Sequence, residues 1–398
     1  LKTLPETPEH TQQALTLYIA LGTALRTAKG HAAPEVAQVF TKARALCQQV
    51  GEPAQLAPVL LGQWGFYNTQ SQFHTAQEIG DTMLYLARRT DDPALAVIAH
   101  YTLGCSWLWP GALAVARRHL EAAIARYTPA QSSALVFRMG SDPGVGCRFY
   151  AAQTLWLLGY PAQALAHLHE ALTLAHALAR PLSLAWVRCR AASFFQFCQD
   201  VAAVQEHAEA AVALTTAQGA TQWVAQGTVF RGWALAMQGQ GEVGLAQVHQ
   251  GITAVRARGQ TLFVPYLYTV LADVCAHLGH TADGLQALAE AQTLVEQHEE
   301  RCWEAEICRL RGVLLLLQPV PQPEEAETWL QRALDVARRQ EAKSLELRAA
   351  MSLSRLWHQQ GKRQEAYDLL ALIYHWFTEG FDTADLQDAR ALLAELSH

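Results

Sequence analysis

A two-helix pattern is written nine times along this chain, and its turn returns about every 40 residues. The turns fall at His31, Ser71, Gly111, Gly159, Gln199, Gly239, Gly279, Pro321 and Gly361, so six of the eight steps are 40 residues, one is 48 and one is 42. Five residues past each turn begins a set of small or apolar residues at positions i, i+4 and i+7. The sets are Val36/Phe40/Ala43, Ala76/Gly80/Met83, Ala116/Leu120/Ala123, Ala164/Leu168/Ala171, Val204/Ala208/Ala211, Gly244/Val248/Gly251, Gly284/Leu288/Ala291, Ala326/Leu330/Ala333 and Ala366/Leu370/Ile373. A period of this size predicts a solenoid, because each hairpin buries its apolar face only by stacking on its neighbours.

Within one unit the reading is helix A, a short turn, helix B and a second turn. The stretch from Tyr150 to His176 shows it best: Leu155, Leu158, Leu165, Leu168 and Leu172 are spaced for helical packing, with Gly159 ending one helix and Pro161 opening the next. Small residues on helix B let paired helices approach closely, which is the logic of tetratricopeptide (TPR) repeats. The period also suits HEAT or armadillo repeats, and of the consensus TPR marks on helix A only Tyr67 and Gly232 survive. The turn-plus-small-residue spacing favours TPR. The predicted fold is therefore all-α, a superhelical solenoid of about nine TPR-like hairpins. Residues 1–127 hold repeats 1–3, 128–147 an inserted loop or joint rich in Ser, Gly and Pro, and 148–380 repeats 4–9. Residues 381–398 hold a capping helix, expected over Thr383–Leu396. A proline-rich surface turn is expected over Gln318–Glu325.

The bulk numbers limit the partners. A net charge of −6 gives no general attraction to nucleic acid or anionic lipid. Purely apolar runs such as Val313–Leu317 are far short of the ~20 residues that span a bilayer. Eight scattered cysteines without a C-x-x-C pair read as small buried hydrophobes in a reduced, cytoplasmic setting. The chain opens at Leu1 rather than Met, and is read as the C-terminal part of a longer polypeptide.

Chemistry is not expected. No G-x-x-x-x-G-K-[ST] phosphate loop is present; Lys29–Gly30 and Gly361–Lys362 come nearest and lack the spacing. His167/His169, His277/His280 and His298-Glu299-Glu300 do not make a zinc motif, and no G-x-S-x-G elbow occurs. Glu304 and Glu306 read as charges of an exposed helix. No catalytic residue, metal or cofactor is expected.

Several stretches carry a resemblance: Gly140–Leu165 (GSDPGVGCRFYAAQTLWLLGYPAQAL), Thr228–Gly239 (TVFRGWALAMQG), Cys302–Leu317 (CWEAEICRLRGVLLLL), and Ala342–Leu396 with KSLELRAAMSLSRLWHQQGKRQEA and WFTEGFDTADL. In these the chain resembles the C-terminal TPR region of large bacterial predicted ATPases, often fused to a class III adenylate/guanylate cyclase, of the STAND signal-transduction type. The family's GHDPGV stands here as GSDPGV. The resemblance implies a non-catalytic sensor or interaction arm whose ATPase and cyclase modules lie N-terminal to it.

In stacked TPR units helix A lines the concave face. Counting back from the turns places Phe149, Gln153 and Trp156 inward, then Trp186, Ser193 and Gln196, then Gln226 and Trp233, then Tyr266, Thr269 and Asp273. Glu306, Arg309, Arg348, Arg355 and His358 complete the row. Aromatic rings passing into a basic end suit a protein, a peptide or a small effector. The competing reading packs Trp156 and Trp233 between units and pairs Arg348 or Arg355 with Glu304 or Glu306. Self-association of the parent protein is the alternative function.

Overall fold

A computed structural model describes residues 7–50, 53–139, 141–217 and 221–397. Leu1 and Gly140, both used in the sequence reading, lie outside them. The nine hairpins are α1 (Pro8–Lys29) with α2 (Pro34–Val50), α3 (Pro53–Thr69) with α4 (Phe73–Thr90), and α5 (Pro93–Leu108) with α6 (Leu113–Arg126). After a short α7 (Ser132–Met139) come α8 (Pro143–Leu157) with α9 (Pro161–Ala177), α10 (Pro181–Phe197) with α11 (Val201–Ala217), and α12 (Thr221–Met237) with α13 (Gly241–Arg256). The last three are α14 (Val264–Leu278) with α15 (Thr281–His298), α16 (Glu304–Leu317) with α17 (Pro323–Arg339), and α18 (Lys343–Gln359) with α19 (Arg363–Tyr374). The closing helix α20 spans Ala384–Ser397. No strand occurs among the described residues.

All nine expected turns fall between the two helices of a hairpin. Seven of the nine turn residues have positive φ, including the non-glycines Ser71 at 56° and Gln199 at 62°. Every member of the nine small-residue sets is buried. Their function is plainest between α12 and α13. A Cβ on Gly232 would lie 2.6 Å from the carbonyl oxygen of Gly244, and one on Gly244 would lie 2.4 Å from that of Gly232. The two backbones meet there with no room for a side chain.

One segment differs from expectation. Residues 128–147 are not a loop: a short 3-10 turn over Pro129–Gln131 and helix α7 occupy most of the segment, and α8 already begins at Pro143. Asp142 organises the start. Its carboxylate accepts from the Gly144 and Val145 backbone N–H groups and from the Ser132 hydroxyl, capping α8 and tying α7 to it. The capping helix lies within the predicted 381–398, and buries Leu386, Ala389, Leu392 and Leu396. Seven of the eight cysteines are buried, Cys198 is half-buried, and all are free thiols. No helix among the described residues is long and apolar enough to cross a membrane.

The solenoid winds back onto itself. The carbonyl of Thr69 accepts from the Thr261 hydroxyl, 192 residues away. Cys302 N–H donates to the Trp109 carbonyl at 2.9 Å, and the Ser344 hydroxyl donates to the Trp156 carbonyl, 188 residues away. The turns inside early hairpins thus meet the linkers between late ones. Gly159 sits at such a crossing, with φ of 91°; a Cβ there would lie 2.6 Å from the Trp376 ring and 2.7 Å from the Lys343 Cβ. Gly279 has φ of 77° and nothing within 4 Å of its position. Gly279→Ala is therefore expected to cost about 1 kcal/mol through backbone strain alone. Gly159→Ala adds a clash between successive coils and should cost about 2–4 kcal/mol. Urea denaturation of the two variants compares them, and equal losses would mean the crossing contributes nothing.

Candidate functional site

The inner helices face one another across a common axis, each A helix from α8 to α18 packing against the next. Along this axis the residues counted inward from the sequence come together. The Tyr266 hydroxyl donates to the Ser193 carbonyl at 3.0 Å and to Gln196 Oε1. Trp233 Nε1 donates to Asp273 Oδ2 at 2.7 Å. Arg309 pairs with both oxygens of Glu306 at 2.6 and 2.8 Å. Arg348 reaches Asp385 of the closing helix at 2.8 Å, Glu306 at 3.6 Å, and the Phe197 carbonyl in the opposite coil.

The expected open groove is not what these contacts make. Of the twelve principal inner-face residues, Phe149, Gln153, Trp156, Gln226, Trp233, Tyr266, Glu306 and Arg348 are buried; Trp186, Asp273 and Arg309 are half-buried; Arg355 is exposed. Of the four others, Ser193, Gln196 and Thr269 are buried and His358 is half-buried. Rings supplied by linkers fill the hollow. Trp303 stacks 4.3 Å from Tyr266 and 5.5 Å from Phe197, and Phe263 lies 4.9 Å from Tyr266. What remains between them and Gln153, Trp156 and Ser193 is a cavity of about 10 Å³, room for one water. Trp156 and Trp233 pack as interior rings, and Arg348 forms the salt bridge to Glu306 that was its competing reading. Glu304 and Glu306, expected on an exposed helix, are both buried and paired, Glu304 with Arg301 and Arg332.

Burial and pairing set the charges. Burial drives the Glu306 carboxyl up, but Arg309 and Arg348 outweigh it and hold it below the usual carboxylate range. Asp273 stays raised by burial despite the Trp233 hydrogen bond. Glu300, with no exposed surface, is pushed by burial up to about 8, although it accepts from the Phe263 N–H and feels Arg190.

Arg190 was missed by the sequence count. It lies on α10 one turn after Trp186 and one before Phe194, so the same face that gave Trp186 contained the signal. Its guanidinium lies 4.6 Å from the Phe263 ring centre and 5.7 Å from that of Trp223. It is 5% exposed, and its Nε and Nη1 have no hydrogen-bond partner. The indole Nε1 atoms of Trp109, Trp156 and Trp303 and the Nε2 of Gln153 are unpartnered too. Phe263 and Trp303 lie in linkers, outside any helix-A periodicity. No group of three or more His, Cys, Asp or Glu placed to hold a metal occurs among the described residues.

No family model matches the chain, and no curated protein matches its sequence. Solved structures do match its shape. A Rap protein complexed with competence and sporulation factor superposes with a TM-score of 0.60 at 12% identity, covering 84% of this chain and 99% of that one. A STAND protein with a tetratricopeptide repeat sensor, PH0952 from Pyrococcus horikoshii, gives 0.48 at 13% identity over 97% of this chain; the match spans 54% of that protein. Aspartyl phosphate phosphatase F from Bacillus subtilis gives 0.46 at 12% identity, over 94% of this chain and 95% of that one. The fold is the TPR-like helical repeat solenoid.

Proposed function

We propose that this chain is a non-catalytic interaction module whose inner face recognises a protein, a peptide or a small effector, and relays occupancy to an ATPase or cyclase N-terminal to it. The observation that carries the reading is the asymmetry between helices. The B-helix sets are small and apolar, as packing alone requires, whereas the A helices turn arginines, carboxylates, glutamines and indoles to the axis. Burying such groups is expensive, and aliphatic residues of similar volume would serve a purely structural core as well or better. A Rap protein of the same fold, held in complex with competence and sporulation factor, supports the idea that a solenoid of this length seats a partner. The resemblance over 140–165 and 342–396 supports the link to an upstream ATPase or cyclase.

Access is through the half-buried rim, where Trp186 stands against Phe149 at 5.6 Å and Tyr150 at 6.0 Å. Selecting a random peptide library against the purified chain tests this. Trp186→Ala should weaken the selected peptides by about fivefold or more, while lowering the melting temperature much less than Trp233→Ala does. Binders indifferent to Trp186 and to every other axis residue would place recognition elsewhere.

A second reading, self-association through the ends of the solenoid, is favoured by Leu17 and Leu21, which lie one turn apart on α1 and are 55% and 47% exposed. Sedimentation over a wide concentration range separates the two, since a concentration-independent monomer removes self-association.

A further inference from the structure

We infer that Arg190 anchors a carboxylate group at the rim of the inner face, with the apolar or aromatic body of the ligand resting on Trp186 and Trp223. The inference deepens the proposed binding function and rests on it.

Arg190 is a permanent cation with only 5% of its surface exposed. No carboxylate oxygen among the described residues forms a salt bridge with it, and two of its guanidinium nitrogens, Nε and Nη1, have no acceptor. A buried charge in that state is unfavourable unless something supplies the opposite charge. The titratable groups that feel it are Cys105, Tyr150, Cys189 and Glu300. Burial pushes all four up, Cys189 to about 11 and Glu300 to about 8. Near pH 7 they are mainly neutral. Glu300 moreover turns both oxygens to the Phe263 backbone N–H, at 2.9 and 3.1 Å. The protein therefore provides a cation and withholds the anion.

The surroundings indicate what kind of anion fits. Gln153, Trp156 and Trp303 line one cavity with Phe263, the ring Arg190 faces, and Trp109 lies 6.1 Å from that ring; their unpartnered atoms are the Gln153 Nε2 and three indole Nε1, all N–H donors. A donor-only set selects a ligand rich in acceptors. A carboxylate matches the flat fork of a guanidinium. Phe263 is itself buried, packed by Trp109 and Tyr266, so the surface left for an apolar body is that of Trp186 and Trp223 at the rim. Trp186 and Trp223 are both half-exposed, so the way in from solvent is lined by indole. A free peptide C-terminus and a small organic acid share this chemistry.

The test titrates the whole chain, followed by tryptophan fluorescence and calorimetry, with two acids and their amides: 3-phenylpropionate and 3-phenylpropionamide, and N-acetyl-leucyl-phenylalanine and its C-terminal amide. At least one acid should bind saturably, and the amide about tenfold or more weakly than the corresponding acid, since a charge-assisted hydrogen bond is lost. Binding by the dipeptide acid alone identifies a peptide C-terminus, and binding by 3-phenylpropionate alone a small acid. Arg190→Gln should abolish the preference for acid over amide. Without ligand, Arg190→Gln should melt at the same or a higher temperature, because it removes an uncompensated charge. If neither acid binds, if acid and amide bind alike, or if Arg190→Gln binds as well as the parent, the inference is overturned. Library peptides that need Trp186 but ignore amidation would overturn it while leaving the interaction module standing.

Discussion

Replacing Arg348 with alanine is expected to cost about 3–5 kcal/mol, the loss typical of breaking a buried ion pair by removing one partner. Arg348 is 6% exposed and joins three elements at once: Asp385 of α20, Glu306 of α16, and the Phe197 carbonyl at the end of α10. Without it Asp385 has no cation in contact, Glu306 keeps only Arg309, and the contact from α18 to the end of α10 is gone, leaving Ser344 to tie α18 to Trp156. Arg348→Lys retains charge but loses the fork that reaches three acceptors, and should recover a minor part of the loss. Hydrogen exchange should show the damage concentrated in α20 and the end of α10.

The acid side of this account follows from Glu306. Its carboxyl is held below the ordinary range in the folded state, so its contribution is present above the unfolded glutamate value of about 4.3 and is lost as pH falls through the lower folded value. Arg348→Ala weakens that pull, so the deficit of the variant should shrink in strong acid. A deficit independent of pH would show that Arg348 acts by packing alone, through its stack 4.0 Å over the Phe197 ring.

Trp233→Ala is expected to be as damaging, about 3–5 kcal/mol. The ring is completely buried on α12 and donates to Asp273 of α14, so truncation opens a cavity and strands a buried carboxylate. Burial already raises Asp273 above the ordinary aspartate range, and losing the indole donor raises it further. A group raised in this way is tolerated best when protonated. The deficit should therefore be smallest below the unfolded aspartate value of about 3.9 and grow as pH rises through the folded one. Denaturation of the variant at acid and neutral pH reads the difference. Loss of partner binding with unchanged stability would return Trp233 to the role of a surface contact.

These expectations show how far the sequence reaches. The hairpin turns were legible because local geometry writes them: Gly111, Gly159, Gly239, Gly279 and Gly361 take the left-handed backbone that glycine adopts freely. Ser71 and Gln199 take it without being glycine, and were found only because the period points at them. The B-helix sets were legible because close packing restricts residue size. The inner face was legible as a direction, since Tyr266, Ser193, Trp233 and Asp273 do meet. Its closure was not. The atoms that seal one coil against the next include the backbone carbonyls of Thr69, Trp109, Trp156 and Phe197, and every residue carries a carbonyl, so no side-chain pattern marks them. The rings that fill the axis, Phe263 and Trp303, come from linkers, where a 3.6-residue period says nothing. Helix α7 was hidden because its segment is rich in Ser, Gly and Pro at both ends, while Asp142 supplies the cap that holds it.

Access at the rim and the settings of Arg190 and Arg348 all require the coils to be shut in the free protein. Gln163, exposed, and Glu379, half-buried, meet at the crossing, where Gln163 donates to the Glu379 carboxylate at 3.1 Å from both its backbone and its side chain. Spin labels placed at these two positions through noncanonical residues, leaving the native cysteines intact, report the separation by pulsed electron resonance. One short, narrow distance set by the label tethers is the predicted result. A broad distribution centred well beyond the reach of the tethers would show an open arc, and would contradict the sealed inner face.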